Sequence, residues 1–344
     1  MAPRVSGLGP KNGLQIGPHF WGYRFNFFVP VCSFLGALRA RQVTGFWSWA
    51  DWLAQQAREF GRQPLFLNLD ETAISRAHPG SPGWIVSKSW WPGALRPHQK
   101  IPKKDERSMI THVGLITHNT TVQGRLPQIL IGNERIFTPE LMAAVAQVAP
   151  SKVQFWRCKS SWNTSNHMLR ILREIALAMA EFPEFQPILV MDCATIHLSP
   201  RVLNVASTLG IWILPVPARC TFLLQPCDTH VFAALKAFLK RAYRDSKDPN
   251  GCVTPEAWAR TVIDAVTVFL CGRPWTTAFQ QTGIIGDRQR LTRDVAALQA
   301  APPVSPSTQP TLATVRDLLP RNRRVPYSQL LAEPRGQPVR VLFR

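Results

Sequence analysis

Acids are scarce in this sequence. Only 21 Asp and Glu stand against 40 Lys and Arg, which gives a formal net charge of +19 with histidines neutral. Charged residues make up 18% of the chain, below the roughly 25% of ordinary soluble domains. The positive excess therefore reflects missing carboxylates more than added bases. It implies a polyanionic partner, nucleic acid first, although a genome-wide bias toward Ala, Arg and Pro gives the same balance. Cysteine offers no framework. There are seven, an odd number without regular spacing and with no Cys-x-x-Cys pair, which argues against a disulfide scaffold. Cys193, Cys220, Cys227, His197 and His230 match no common zinc spacing. Long hydrophobic runs are also missing. The longest apolar window near the N-terminus, Phe27 to Leu38, contains Pro30 and is too short to span a bilayer. It lies too far from Met1 for a signal peptide. The expectation is no membrane and no small-molecule cofactor.

What is present is a chain of 344 residues, 45% apolar, enough for one large domain with extensions or for two domains. Residues 1–45 read as irregular. They contain no acid and partly resemble an organelle transit peptide, which the aromatics between Phe20 and Phe28 fit poorly. "FWSWADWLAQQAREF", 46–60, carries apolar residues at helical spacing. "PLFLNLDETAI", 64–74, reads as a buried strand ending in Asp70 and Glu71. Residues 84–107 form a basic loop holding Trp90 and Trp91. "MITHVGLITHN" and "RLPQILIGN" read as a hairpin turning near Thr120–Gly124, and "KVQFWRC" as a further strand. "TSNHMLRILREIALAMAE" is an amphipathic helix that Thr164 can cap.

"QPILVMDCATIH", 186–197, then drives an apolar strand into Asp192. A short helix, "PRVLNVASTLG", and another strand, "IWILPVP", follow. Asp228 precedes "THVFAALKAFLKRAYR". There Phe232, Leu235 and Leu239 make an apolar stripe, and Lys236, Lys240 and Arg244 a basic one at four-residue steps. Thr254-Pro255 opens one more helix. From about 301 the chain is rich in Pro and Ser, which predicts disorder. The expected organisation is an extension without a helix-turn-helix module over 1–61, a catalytic domain over 62–285, and a basic, Pro-rich tail over 286–344.

The order strand, hairpin, helix, strand, helix, strand, helix predicts an α/β fold. Its mixed sheet would be ribonuclease-H-like, with three antiparallel strands, then parallel strands, flanked by helices. That arrangement sets the 64–74 and 187–192 strands side by side. Asp70 and Asp192 become neighbours although 122 positions apart in the sequence, and Asp228 could face both. Taken singly each acid has a plain reading, Asp70 as a turn closer and Asp228 as a helix N-cap. Together they suggest a metal centre. Three carboxylates in one cleft repel each other and stay ionised only around a cation. Hard oxygen ligands select Mg²⁺ or Mn²⁺. Two such ions roughly 3.5–4 Å apart serve phosphodiester cleavage. Lys88, Arg96, Lys100, Lys103, Lys104 and Arg107 in the basic loop, with Lys236, Lys240 and Arg244, are the expected phosphate contacts.

"LFLNLDETAI", "ILVMDCATIH" and "LPVPARCTFLLQPCDTHVFAALKAFLKRAYR" resemble the three signature blocks of the DDE superfamily endonucleases. Within it they look most like the pogo, jerky and CENP-B-like branch of the Tc1/mariner-type transposases. "KSSWNTSNHMLRIL" resembles that family's Trp-containing lead-in to its first core helix, and "AFQQTGI", 278–284, a motif after the core. The resemblance implies Asp70, Asp192 and Asp228 as catalytic, metal-binding acids, with two Mg²⁺ (or Mn²⁺). It implies supporting roles for His197 and Gln225, whereas Glu71, beside the first acid, is not expected to be a ligand. The 35 residues between Asp192 and Asp228 suit the family. Cys193 stands where relatives often have Asn, and the usual N-terminal helix-turn-helix pair is not recognisable. The implied activity is metal-dependent DNA cleavage and strand transfer, with DNA as partner, a homodimer left open, and the nucleus as location. Alternatives are an inactive, domesticated transposase that binds nucleic acid, and a nuclease of the same centre acting on RNA.

Overall fold

A computed structural model describes residues 22–76, 108–147, 149–150, 152–245, 253–298, 311 and 318. The basic loop with Lys88, Arg96, Lys100, Lys103, Lys104 and Arg107, and with Trp90 and Trp91, lies outside the described residues. So does the side chain of Arg244.

Six strands form one sheet: β1 (Gln63–Ser75), β2 (Met109–Thr117), β3 (Gln128–Asn133), β4 (Val153–Cys158), β5 (Phe185–Met191) and β6 (Trp212–Pro215). Their order across the sheet is β4-β3-β2-β1-β5-β6. β1 pairs antiparallel with β2, and β2 with β3. β5 runs parallel to β1, and β6 parallel to β5. This is the ribonuclease-H-like α/β arrangement expected from the sequence. "KVQFWRC" adds a strand at the edge, β4, parallel to β3. Parallel pairing needs a crossover, and the helix Pro139–Ala146 supplies it.

β1 shows how the layers form. Leu65, Leu67 and Leu69 share one apolar cluster with Leu189, Met191 and the helices Ser165–Met179 and Pro200–Thr208. Phe66, on the opposite face, joins Ile188, Val190 and the helices Gly22–Glu59, Phe232–Asp245 and Pro255–Val266. A strand alternates faces with period two, so its full burial requires helices on both sides. Numbered in chain order, the longer α-helices are α1 (Gly22–Glu59), α2 (Pro139–Ala146), α3 (Ser165–Met179), α4 (Pro200–Thr208), α5 (Phe232–Asp245), α6 (Pro255–Val266) and α7 (Thr276–Gln281).

The N-terminal reading needs one correction. Residues 22–45, expected to be irregular, belong to α1. Tyr23, Phe25, Phe27 and Phe28 fall within a helix whose later turns are buried at Phe46, Trp49, Ala50, Leu53 and Ala57. The Trp47 indole N–H donates to the Thr282 carbonyl at 3.0 Å, and Arg288 pairs with Asp51 at 2.7 Å. These contacts tie α1 to the segment after α7. Leu318 and Val295 are also buried in this layer. No helix among the described residues is long and apolar enough to cross a membrane.

Candidate active site

The parallel ladder between β1 and β5 runs from Gln63–Phe185 to Asn68–Val190. Two residues beyond that last pair come Asp70, inside β1, and Asp192, one residue past the end of β5. Asp70 pairs across β2 with Gly114. A Cβ there would lie 3.1 Å from Phe232, so glycine lets the first residue of α5 press close to the strand. Just ahead of Phe232 is a π-helical turn, Cys227–Val231, which carries Asp228. The N-cap reading of Asp228 therefore fails: it is the turn's second residue, and its side chain is exposed. The Cys227 N–H donates to Asn68 Oδ1 at 2.7 Å, which holds this turn against β1.

Asp70 is buried. Its Oδ1 accepts from the Glu71 N–H at 2.8 Å, and its Oδ2 is buried with no hydrogen-bond partner. Burial, then the charges of Asp228 and Glu71, push its carboxyl up to about 9, with Asp192 adding a smaller push.

Asp192 has a different environment. Its Oδ1 accepts from the Ala194 N–H at 2.9 Å and from His197 Nδ1 at 2.5 Å. Burial alone would raise its carboxyl, but the hydrogen bond and charge of His197 hold it below the usual range. His197 is almost fully buried and its Nε2 lies 2.9 Å from Glu71 Oε1. Burial disfavours the imidazolium, yet hydrogen bonds to Asp192 and Glu71 push it up to about 10. One cationic ring thus bridges two carboxylates. Glu71, next to Asp70 and therefore on the opposite face of β1, is also bonded by the Asn163 side-chain amide. Asn163 immediately precedes the Thr164 cap of α3, which explains why the "KSSWNTSN" segment sits at this site.

Gln225 is fully buried. Its Nε2 reaches Leu69 O at 3.5 Å and its Oε1 has no partner. The "AFQQTGI" segment acts from the other side: Gln281 Oε1 lies 2.6 Å from His230 Nε2, on the same turn as Asp228. Cys193, in the position where Asn was expected, points away and donates its S–H to Val216 O at 2.8 Å. Lys236 is half-buried and Lys240 exposed on α5, with Leu235 and Leu239 inward.

Sequence reasoning missed the Glu71–His197 link and Asn68. The first pairs residues 126 positions apart, and no local pattern encodes it. Asn68 carries a signal, a carboxamide inside an apolar strand run, that invites a search for its partners.

The acids suit a hard divalent cation. The donors are carboxylate oxygens, and a buried Oδ2 without a partner, surrounded by like charges, favours a cation over a proton-sharing neighbour. Among the described residues, no three His, Cys, Asp or Glu side chains already stand as a metal-ligating group. Asp192 is turned toward His197 and Asp228 toward solvent.

No protein-family model matches the sequence, and no curated protein matches it. Among solved structures it is similar to a Mos1 transposase paired-end complex with the left transposon end, at 14% identity and a TM-score of 0.36, over 81% of this chain and 67% of that one. A Mos1 mariner paired-end complex with Mn matches at 15% and 0.33, over 82% and 68%. A pre-cleavage Mos1 transpososome matches at 16% and 0.34, over 71% and 63%. This chain spans about two thirds of the length of those proteins, and scores this low carry no argument about activity.

Proposed function

We propose that this chain is a DDE-type transposase catalytic domain of the Tc1/mariner superfamily, in its pogo, jerky and CENP-B-like branch, cleaving DNA phosphodiesters with divalent metal. The observation that carries the reading is that Asp70 and Asp192 each lie two residues beyond Asn68–Val190, the last pair of the parallel β1–β5 ladder. Asp228 lies close enough to act on Asp70 by charge. Asp70, Asp192 and Asp228 would hold two Mg²⁺ or Mn²⁺ ions, which supply Lewis acidity to the attacking and leaving oxygens.

The protein's own groups prepare that chemistry. His197 keeps Asp192 ionised and fixes its Oδ1. Glu71 holds the far side of the same ring. Water, and then a DNA 3′-hydroxyl, attacks phosphorus in line as the opposite oxygen leaves. Lys88, Arg96, Lys100, Lys103, Lys104 and Arg107, with Lys236, Lys240 and Arg244, are proposed to hold the backbone, and the net charge of +19 favours such a partner. A nuclear location and a homodimer belong to the same proposal.

The test is nicking of supercoiled plasmid in Mn²⁺ or Mg²⁺. The expected result is metal-dependent nicking that Asp192→Asn removes; unchanged nicking by that variant would refute the assignment.

A second reading is an inactive descendant that only binds nucleic acid. It is favoured by the described side chains, among which no ready three-ligand group stands. Such a protein would bind DNA with salt-dependent affinity and show no cleavage at any metal concentration.

A further inference from the structure

Asn68 occupies a place built for an apolar residue. Its neighbour on the same face of β1 is Phe66, and the adjoining strand offers Ile188 and Val190. Asn68 is 0% exposed, and a buried amide destabilises unless its donor and acceptor are both met. Both are. Nδ2 donates to the Val190 carbonyl at 3.0 Å, with a longer contact to Leu69 O at 3.4 Å. Oδ1 accepts from the Cys227 N–H at 2.7 Å.

The partners matter more than their number. Val190 lies two residues before Asp192. Cys227 immediately precedes Asp228. Asn68 itself lies two residues before Asp70 and points to the same face. The backbone ladder between β1 and β5 ends at the Asn68–Val190 pair, so this amide takes over where the strand pairing stops. The Cys227 N–H begins a helical turn, among the donors that have no partner within a helix. The side chain of Gln225, also buried nearby, makes only one long contact, at 3.5 Å.

We propose that Asn68 is a positioning residue: one carboxamide joins the three segments that carry Asp70, Asp192 and Asp228, and so sets their spacing for a divalent cation. The metal half of this inference rests on the DDE reading; the clamp itself does not. Groups that orient ligands without touching the ion change affinity when removed, and small errors in such spacing are costly.

The test replaces the amide by a side chain of similar size, Asn68→Leu. Hydrogen exchange resolved to single amides should show Cys227 and its turn losing protection, while the β1–β2 pairs keep theirs. Mn²⁺ affinity, read from the EPR signal of the free ion, should fall about tenfold or more. In nicking assays the half-activating Mn²⁺ concentration should rise while KM for DNA stays unchanged. A merely destabilised protein would lose active fraction without shifting the metal dependence. Unchanged Cys227 protection, or unchanged Mn²⁺ affinity, overturns the proposal. Should Asn68→Leu not fold, Asn68→Ser serves, and the wild type alone decides the clamp: a Cys227 amide that exchanges as freely as an exposed one sinks it. Wild-type protein that neither binds Mn²⁺ nor nicks DNA overturns the metal reading, while loss of Cys227 protection in the variant still upholds the clamp.

Discussion

Asp192 and His197 are joined at 2.5 Å, Oδ1 to Nδ1, and the other ring nitrogen is held by Glu71. The ring is the only cationic group in direct contact with these two acids among the described residues. Removing it leaves two carboxylates facing each other. His197→Ala is expected to cost about 2–3 kcal/mol, less than for a fully buried pair because Glu71 and Asp192 keep some solvent contact. Urea unfolding at neutral pH measures this. The sign with pH follows from the direction of the shift. His197 titrates higher in the folded protein than free imidazole, up to about 10 against 6.5. Its stabilisation is complete below about 6.5 and is lost as pH climbs through about 10. The gap between wild type and His197→Gln should therefore narrow between pH 7 and pH 10.

Asp70 behaves in the opposite sense. Its folded carboxyl lies at about 9 against 3.8 when free, so without metal the native state holds a proton that the unfolded chain releases. Stability then falls as pH rises from 3.8 toward 9, by on the order of a few kcal/mol overall. Asp70→Asn removes that penalty. In EDTA at pH 8 the variant should melt higher than wild type. With Mn²⁺ the ranking should reverse, because the wild type gains ligand stabilisation and the variant does not. Nicking should drop roughly 10²-fold or more. A variant that melts lower in EDTA would show that Asp70 is not strained by its acidic neighbours.

Much of this site was legible in the sequence because two of its acids follow apolar runs. An apolar run that stops on an acid reads as a strand terminus; that holds for Asp192, one residue past β5, whereas Asp70 sits inside β1, which runs on to Ser75. The ribonuclease-H-like order then makes them neighbours without any contact being seen. Asp228 was legible as a residue leading into α5 but not as part of a π-helical turn, since such a turn depends on what packs against it. Gly114 and Asn68 supply that packing, and neither is near it in sequence. The α1 helix was underestimated for a related reason. In the described turns after 45, Phe46, Trp47, Trp49 and Trp52 are all buried, so the helix shows no single apolar stripe there. Periodicity reads helices with one wet side; a helix buried on several sides gives a weaker pattern.

His112, on β2 beside Gly114 and Phe232, gives the fold an acid-sensitive point. It is fully buried on β2, with Nε2 3.2 Å from Gln128 Oε1 and Nδ1 without a partner. Gln128 Nε2 donates to Leu115 O at 2.6 Å, which leaves Oε1 as the acceptor and places the imidazole proton on Nε2. Protonating Nδ1 would create a buried cation, so burial drives His112 down to about 4, against a smaller opposing effect of the Gln128 bond. Between pH 6.5 and 4 the unfolded chain binds a proton that the native state refuses, and stability falls with pH across that window. The loss from this residue is about 3 kcal/mol. Burial shifts His118 the same way, also to about 4. Chemical unfolding at pH 7, 5.5 and 4.5 should show a steeper acid loss for wild type than for His112→Leu. Parallel slopes would mean that His112 is not the sensor.

Gly283 tests whether α1 belongs to the body of the protein. It has φ +74°, where a side chain is strained, and an added Cβ would meet the Trp47 ring at 2.6–2.7 Å. The same indole donates to the neighbouring Thr282 carbonyl, so the ring cannot retreat without losing that bond. Gly283→Ala should cost about 2–4 kcal/mol, the sum of backbone strain and overpacking. The segment also carries Gln281, which holds His230 on the turn of Asp228. The loss of stability should therefore be accompanied by weaker protection of residues 227–231 in hydrogen exchange. Trp47→Phe in the same background relieves part of the clash and removes the bond, so it should recover stability only in part. If Gly283→Ala left stability and exchange unchanged, α1 would not be docked on this segment in solution, and the turn that carries Asp228 would rest on Asn68 and Gly114 alone.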